Sequence, residues 1–180
     1  MPVPFKETLM KLALGSIAVA AVIVGCATMA PSRNEAVAEL APTAGNNAKG
    51  TVTFSQKDGT VLVVAKLSGL TPGSHGFHVH EKGDCSAADA MSAGGHFNPL
   101  GKPHARPSSA ERHTGDMPTL VADASGNATL TTELDLMRVG DGANDIVGKS
   151  VVVHKDPDDF TTQPAGNSGP RVACGVIRKV

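Results

Sequence analysis

The sequence predicts an all-β domain, an antiparallel sandwich or barrel. Three observations carry this. Short apolar or alternating runs recur along the chain, each bounded by Gly, Asn, Asp or Ser. Turn signals join neighbouring runs, at Asp58-Gly59 and at Ser125-Gly126-Asn127. Trp and Tyr are absent and aromatics make up 3% of the chain, so the core must be Val, Ile, Leu and Ala with a few Phe. Many short strands separated by turn residues imply a sandwich or barrel.

The size, 180 residues with 41% apolar, suits one domain with its own core. The formal net charge is −1. With no basic run and almost no stacking surface, a nucleic-acid partner is not expected.

The N-terminus stands apart from that core. Lys6 and Lys11 precede the apolar run "LALGSIAVAAVIVG", which ends at Cys26. Its length is that of a secretory signal and short for a membrane span. Ile23-Val24-Gly25-Cys26 resembles the lipobox of bacterial lipoproteins, in which cleavage before the Cys leaves it acylated. Residues 1–25 are therefore expected to be a lipoprotein-type signal peptide and Cys26 the lipidation site. An ordinary cleaved signal is the alternative. Ala27, rather than Asp, after the Cys resembles sorting to the outer membrane. The expected location is the periplasm, with membrane contact only through the N-terminal lipid. Losing Lys6, Lys11 and Glu7 leaves 14 basic against 16 acidic residues, a charge of −2.

Residues 26–47 are rich in Ala, Pro and Asn and lack a sustained period. They read as a flexible tether, and "EAVAEL" within them as at most a turn of helix. The globular domain is placed at 48–180. Its strands are "GTVTFSQ", "TVLVVAKL", "HGFHVHE", "TLVADA", "ATLTTELDL", "SVVVHKD" and "RVACGVI". Two irregular stretches, 82–114 and 155–170, are longer than connection alone requires. Long loops on a rigid β scaffold are usually functional.

Export bears on the cysteines. If Cys26 carries lipid, Cys85 and Cys174 remain as a pair, and in an oxidising compartment a disulfide is expected. Two free buried thiols are the alternative.

The chemistry sits in the histidines. In His78-Val79-His80, strand alternation projects both imidazoles to one side and Val79 to the other. His96, His104, His113, Asp116 and His154 lie in or beside the long loops. One such histidine is ordinarily a surface or hydrogen-bonded residue. Six in one small β domain point to metal: His with carboxylate suits zinc, and all-imidazole sets suit copper or zinc. The seventh, His75, is read as a solvent-facing loop residue.

Together "GFHVHEKGDC", "SAGGHFNP", "ERHTGD", "VVVH" and "GNSGPRVACGVI" closely resemble copper/zinc superoxide dismutase of the bacterial exported type. The resemblance runs from about residue 49 to 180, in order and with family-like spacing. It implies an eight-stranded Greek-key β-barrel with sandwich architecture, like that of immunoglobulins, and two long functional loops. It implies one copper and one zinc per subunit. His78, His80, His96 and His154 match the copper ligands. His96, the bridging imidazole, also matches a zinc ligand, with His104, His113 and Asp116. Asp158 matches the carboxylate that links a copper-ligand His to a zinc-ligand His. Arg171 matches the arginine that holds the anion, and Cys85 with Cys174 the disulfide under the site.

The implied reaction converts two superoxide anions and two protons to O₂ and H₂O₂ by alternate reduction and reoxidation of the copper, protecting the cell envelope. His96 and Arg171 are its catalytic residues: His96 supplies a proton and Arg171 a fixed charged fork. The family is among the enzymes near the diffusional ceiling. With a negative net charge and an anionic substrate, attraction must come from a local positive patch. The 154–171 loop is shorter than in the eukaryotic enzymes, and Ala165 stands where the family often has Thr. Monomer and homodimer both remain open. Two other functions compete: a non-catalytic copper/zinc binding or delivery domain of the same fold, and a zinc hydrolase on His-x-His. The second lacks a water-activating Asp-His pair near "HVHEKGD".

Overall fold

Nine strands form one antiparallel sheet in the computed structural model, which describes residues 1–2 and 34–180. In chain order they are β1 (Glu35–Pro42), β2 (Lys49–Gln56), β3 (Val61–Ser68), β4 (Gly73–His75), β5 (Phe77–His80), β6 (Leu120–Ala122), β7 (Ala128–Leu134), β8 (Ser150–His154) and β9 (Arg171–Lys179). Among the described residues the helical content is one 3₁₀ turn, Met91–Ala93.

The strand order is β4-β6-β7-β3-β2-β1-β9-β8-β5. Its two ends, β4 and β5, are neighbours in the chain, separated only by Gly76. β4 pairs with β6 and β5 with β8, so one continuous segment supplies both edges and nearly closes a barrel. The crossing at Gly76 is tight. A Cβ there would stand 2.6 Å from Ser168 Cβ. Counted as one strand, β4–β5 brings the total to the expected eight. The β3–β4 connection spans β7 and β6, the long-return pattern of a Greek key.

Alternation decides what the barrel encloses. Val61, Val63, Ala65 and Leu67 of β3 point inward, as do Val52 and Phe54 of β2. β8 is buried on both sides. Val151 and Val153 enter the barrel core, while Val152 packs outside with Ala90, Ala93 and Cys174. This second, smaller core glues the 82–114 loop to the barrel wall and explains why "SVVVH" is an unbroken apolar run.

The tether expected over 26–47 does not describe Glu35 onward. β1 pairs with β2 from Glu35↔Ser55 to Leu40↔Gly50 and with β9 from Ala36↔Lys179 to Pro42↔Ala173. Ala36, Ala38 and Leu40 are buried and Glu39 is exposed. The strand hides because two of its three inward residues are Ala, a residue of low strand preference. The remaining tether residues, 26–33, the lipidation site Cys26 and nearly all of the signal segment lie outside the described residues.

Candidate metal centre

The site grows from β5. Phe77 and Val79 point into the barrel core, so His78 and His80 point out beneath the 82–114 loop. The outer edge of β5 is covered by that loop and the residues after it. Val79 N–H donates to Gly115 O at 2.9 Å, and Phe97 N–H donates to Val79 O at 2.8 Å. This pairing sets His80 opposite His96 and His78 opposite Asp116. Gly115 permits it, because a Cβ there would collide with the Val79 carbonyl. β8 delivers His154 at its end. The Cys85–Cys174 disulfide, with Cα atoms 5.8 Å apart, ties the same loop to β9.

Two clusters result. In the first, His78, His80, His96 and His154 each place one ring nitrogen within 4.8 Å of the others. Outer partners fix which nitrogen that is. His80 Nδ1 donates to Gly94 O at 2.9 Å, and His154 Nδ1 to Gly169 O at 3.1 Å. Their Nε2 atoms are left free of protons, 3.4 Å apart. His78 Nε2 donates to Asp158 Oδ2 at 2.6 Å. That leaves His78 Nδ1 and His96 Nε2 buried with no hydrogen-bond partner. Orphaned buried nitrogens are costly; a cation between them removes the cost. Burial pushes His78 down to about 3 and His154 to about 4, with His80 well below its ordinary value and His96 also lowered. Neutral imidazole is the metal-ligating form.

The second cluster is His96, His104, His113 and Asp116. Asp116 Oδ1 lies 3.2 Å from His96 Nδ1, 2.9 Å from His104 Nδ1 and 3.4 Å from His113 Nδ1. His96 Nδ1 and His113 Nδ1 are 3.4 Å apart. A tetrahedron with metal–ligand arms of about 2.0 Å has edges of about 3.3 Å, so these spacings suit a tetrahedral ion of zinc's size. Burial opposes the Asp116 anion, but hydrogen bonds from His104, His113 and His96 hold it well below the carboxylate range. Burial likewise opposes the His104 cation, yet Asp116 and Asp158 outweigh it and push His104 up to about 9.

His96 belongs to both clusters, one nitrogen to each. Asp158 links them a second time, through Oδ2 to His78 and Oδ1 to His104 Nε2 at 2.9 Å. Gly166, at φ +66°, closes over this link; a Cβ there would sit on Asp158 Oδ1.

Arg171 begins β9. Its guanidinium donates to Ala90 O and Gly94 O, both at 2.6 Å, so the disulfide-tied loop aims it. Two of its five donors are spent there, and Arg171 lines a cleft shared with Thr43, Asp89 and Met91. Burial lowers its pKa, but a guanidinium stays charged.

The structure thus brings together every residue that the resemblance assigned to the two metal sets, with Asp158 between them and Arg171 at the mouth. Sequence reasoning missed two contributors. His75 is buried, not solvent-facing: its Nδ1 meets His154 O and its Nε2 meets Thr71 O, both at 2.8 Å. It ends β4, three residues before His78 in the chain. Thr43, in the segment read as tether, donates its hydroxyl to Arg171 O at 2.8 Å and its N–H to Val172 O at 3.1 Å. No motif marks it.

Comparison with known proteins agrees with this geometry. The family model for copper/zinc superoxide dismutase matches residues 48–177. Superoxide dismutase (Cu-Zn) 2 of Brassica juncea is 46% identical over 136 residues, 72% of this chain and 88% of that protein. The crystal structure of the clock protein EA4 superposes with a TM-score of 0.75 at 39% identity, covering 82% of this chain and 96% of that one. The first cluster, the second cluster and these matches place the chain, plainly, in the copper/zinc superoxide dismutase family.

Proposed function

We propose that this copper/zinc superoxide dismutase is of the bacterial exported type, working in the periplasm on a lipid anchor. The observation that carries the activity is His96, one imidazole shared by two buried ligand sets. The first set, His78, His80, His96 and His154, would hold copper; the second, His96, His104, His113 and Asp116, would hold zinc. Bound copper supplies the one-electron couple that takes an electron from one superoxide and gives it to the next, and zinc adds fixed charge without redox chemistry.

The chain supplies the rest. Arg171 offers its unspent N–H groups to the small anion from a position fixed by two carbonyls. His96 Nε2 has no protein partner, so it would face copper alone and could exchange that contact for a proton destined for the product. Asp158 keeps His78 and His104 in the ligating tautomer. All four imidazoles of the first set are buried, which keeps bulk water off them.

Export is supported by Lys6, Lys11, the apolar run and Cys26, and by a disulfide suited to an oxidising compartment. Cys26→Ser would release the protein from the membrane fraction; a variant that stays membrane-bound overturns the anchor. Sedimentation of the purified protein decides between monomer and homodimer.

The activity test is superoxide decay in stopped flow by protein carrying one copper and one zinc. Fast decay abolished by cyanide is expected. Negligible decay by the metal-filled, disulfide-bonded protein would replace the enzyme with a metal binding or delivery domain.

A further inference from the structure

The short 155–170 loop spends several of its residues on one target. Asp158 Oδ1 accepts from His104 Nε2 at 2.9 Å. The Phe160 ring lies parallel to the His104 ring, 9° between planes and 6.3 Å between centroids, and the Arg106 guanidinium lies over the Phe160 ring at 4.8 Å. Gly166 admits the Asp158–His104 pair by having no side chain. Gln163 takes the backbone: its Oε1 accepts the His104 N–H at 2.8 Å, and its Nε2 donates to the His104 carbonyl at 2.8 Å.

The last contact pattern is unusual for an exposed residue. A primary amide presents one acceptor and two donors, which is the complement of a single residue's peptide N–H and C=O. Gln163 matches both groups of His104 at once, as a neighbouring strand would. The pairing joins residues 59 apart in sequence and crosses from one long loop to the other. His104 itself lies in irregular chain with no strand partner. Its ring is fixed by Asp116 and Asp158, and its backbone is fixed by Gln163.

We propose that Gln163 is a positioning residue for the second metal set: its side-chain amide clamps the backbone of His104 and slows loss of the ion held there. The proposal rests on reading His104 as a zinc ligand. Without the clamp, the His104 N–H and C=O lose their side-chain partner, the backbone hold is left to the Ala105 N–H on Asp116 Oδ2 at 3.1 Å, and Nδ1 is held less firmly towards the ion. Partners that orient a metal ligand typically change metal affinity by about 10–100-fold, and an exposed, neutral clamp belongs at the lower end.

Zinc release to an excess of a chromophoric chelator tests this, with cobalt in the same set as a spectroscopic reporter. The test uses the full chain and its Gln163→Ala and Thr162→Ala variants. Thr162 bonds within the 155–170 loop, its N–H and hydroxyl to Asp159 and its carbonyl accepting from the Gly166 N–H at 2.7 Å, so removing its hydroxyl loosens the loop without touching His104. Gln163→Ala is expected to lose zinc about tenfold faster, to broaden the cobalt visible bands, and to speed amide exchange at His104. Thr162→Ala is expected to match wild type in all three. Equal zinc retention by Gln163→Ala overturns the proposal, and so does equal loss by Thr162→Ala, which would make the effect one of loop order. A wild-type chain that takes up no zinc overturns the zinc reading itself, and the proposal with it.

Discussion

Asp158 Oδ2 stands 2.6 Å from His78 Nε2, and that contact decides which nitrogen His78 has left for a metal. Because Oδ1 does the same for His104, one carboxylate sets the tautomer of a ligand in each cluster. Asp158→Asn removes the charge and can satisfy at most one of the two N–H groups well. It is expected to weaken metal binding at both clusters by about 10–100-fold, measured by chelator competition. A loss confined to one cluster would show that the link is not shared.

Arg171 is aimed by two carbonyls of the disulfide-tied loop, and only a planar fork can reach both and still face the cleft. Arg171→Lys keeps the charge but loses the aim. It is expected to lower kcat/KM by about tenfold or more, the worth of one to two charged hydrogen bonds, with metal content unchanged. Reducing the Cys85–Cys174 disulfide frees the loop that carries Ala90 and Gly94, and is expected to move the same rate in the same direction.

Asp89 shares the cleft with Arg171, and its charge bears on the guanidinium. Its carboxylate is held in place by the Met91 N–H at 3.0 Å. An anion approaching Arg171 passes this negative group. Asp89→Asn is expected to raise the rate about twofold at low salt, with the gain vanishing when the Debye length falls to about 3 Å. A salt-independent gain, or none, would remove Asp89 from the approach path.

Metal removal exposes the buried histidines to linkage. His78 and His154, lowered by burial to about 3 and about 4, titrate near 6.5 when unfolded. Between those values the unfolded chain binds more protons, so stability is full above 6.5 and drains as pH falls. His104, raised to about 9, acts in the opposite sense: its contribution is full below 6.5 and is lost as pH rises towards 9. The acid side gathers more groups. Metal-free, disulfide-intact protein is expected to lose about 2 kcal/mol or more between pH 7 and pH 5, by urea denaturation. Metals block the protonation sites, so loaded protein should lose much less over that range.

Legibility followed periodicity. His78 and His80 were readable because alternation fixes their face once Val79 is inside. His104, His113 and Asp116 sit in irregular chain, where no period assigns a direction; only the family resemblance grouped them. β1 escaped because Ala36 and Ala38 carry little hydrophobic signal, and Thr43 went with it. His75 was misread because it matches no ligand position, whereas it stands beside Gly76, where the chain passes from one end of the sheet to the other. Gln163 belongs to no motif, since a clamp on a backbone needs only an amide at the right place.

His96 serves both clusters, Nε2 towards one and Nδ1 towards the other. The electron paramagnetic resonance spectrum of copper-loaded protein, recorded before and after zinc is added, tests it most directly. Zinc is expected to change the copper spectrum in wild type and to leave it unchanged in His96→Ala. A wild-type copper spectrum indifferent to a filled zinc set would contradict the shared imidazole.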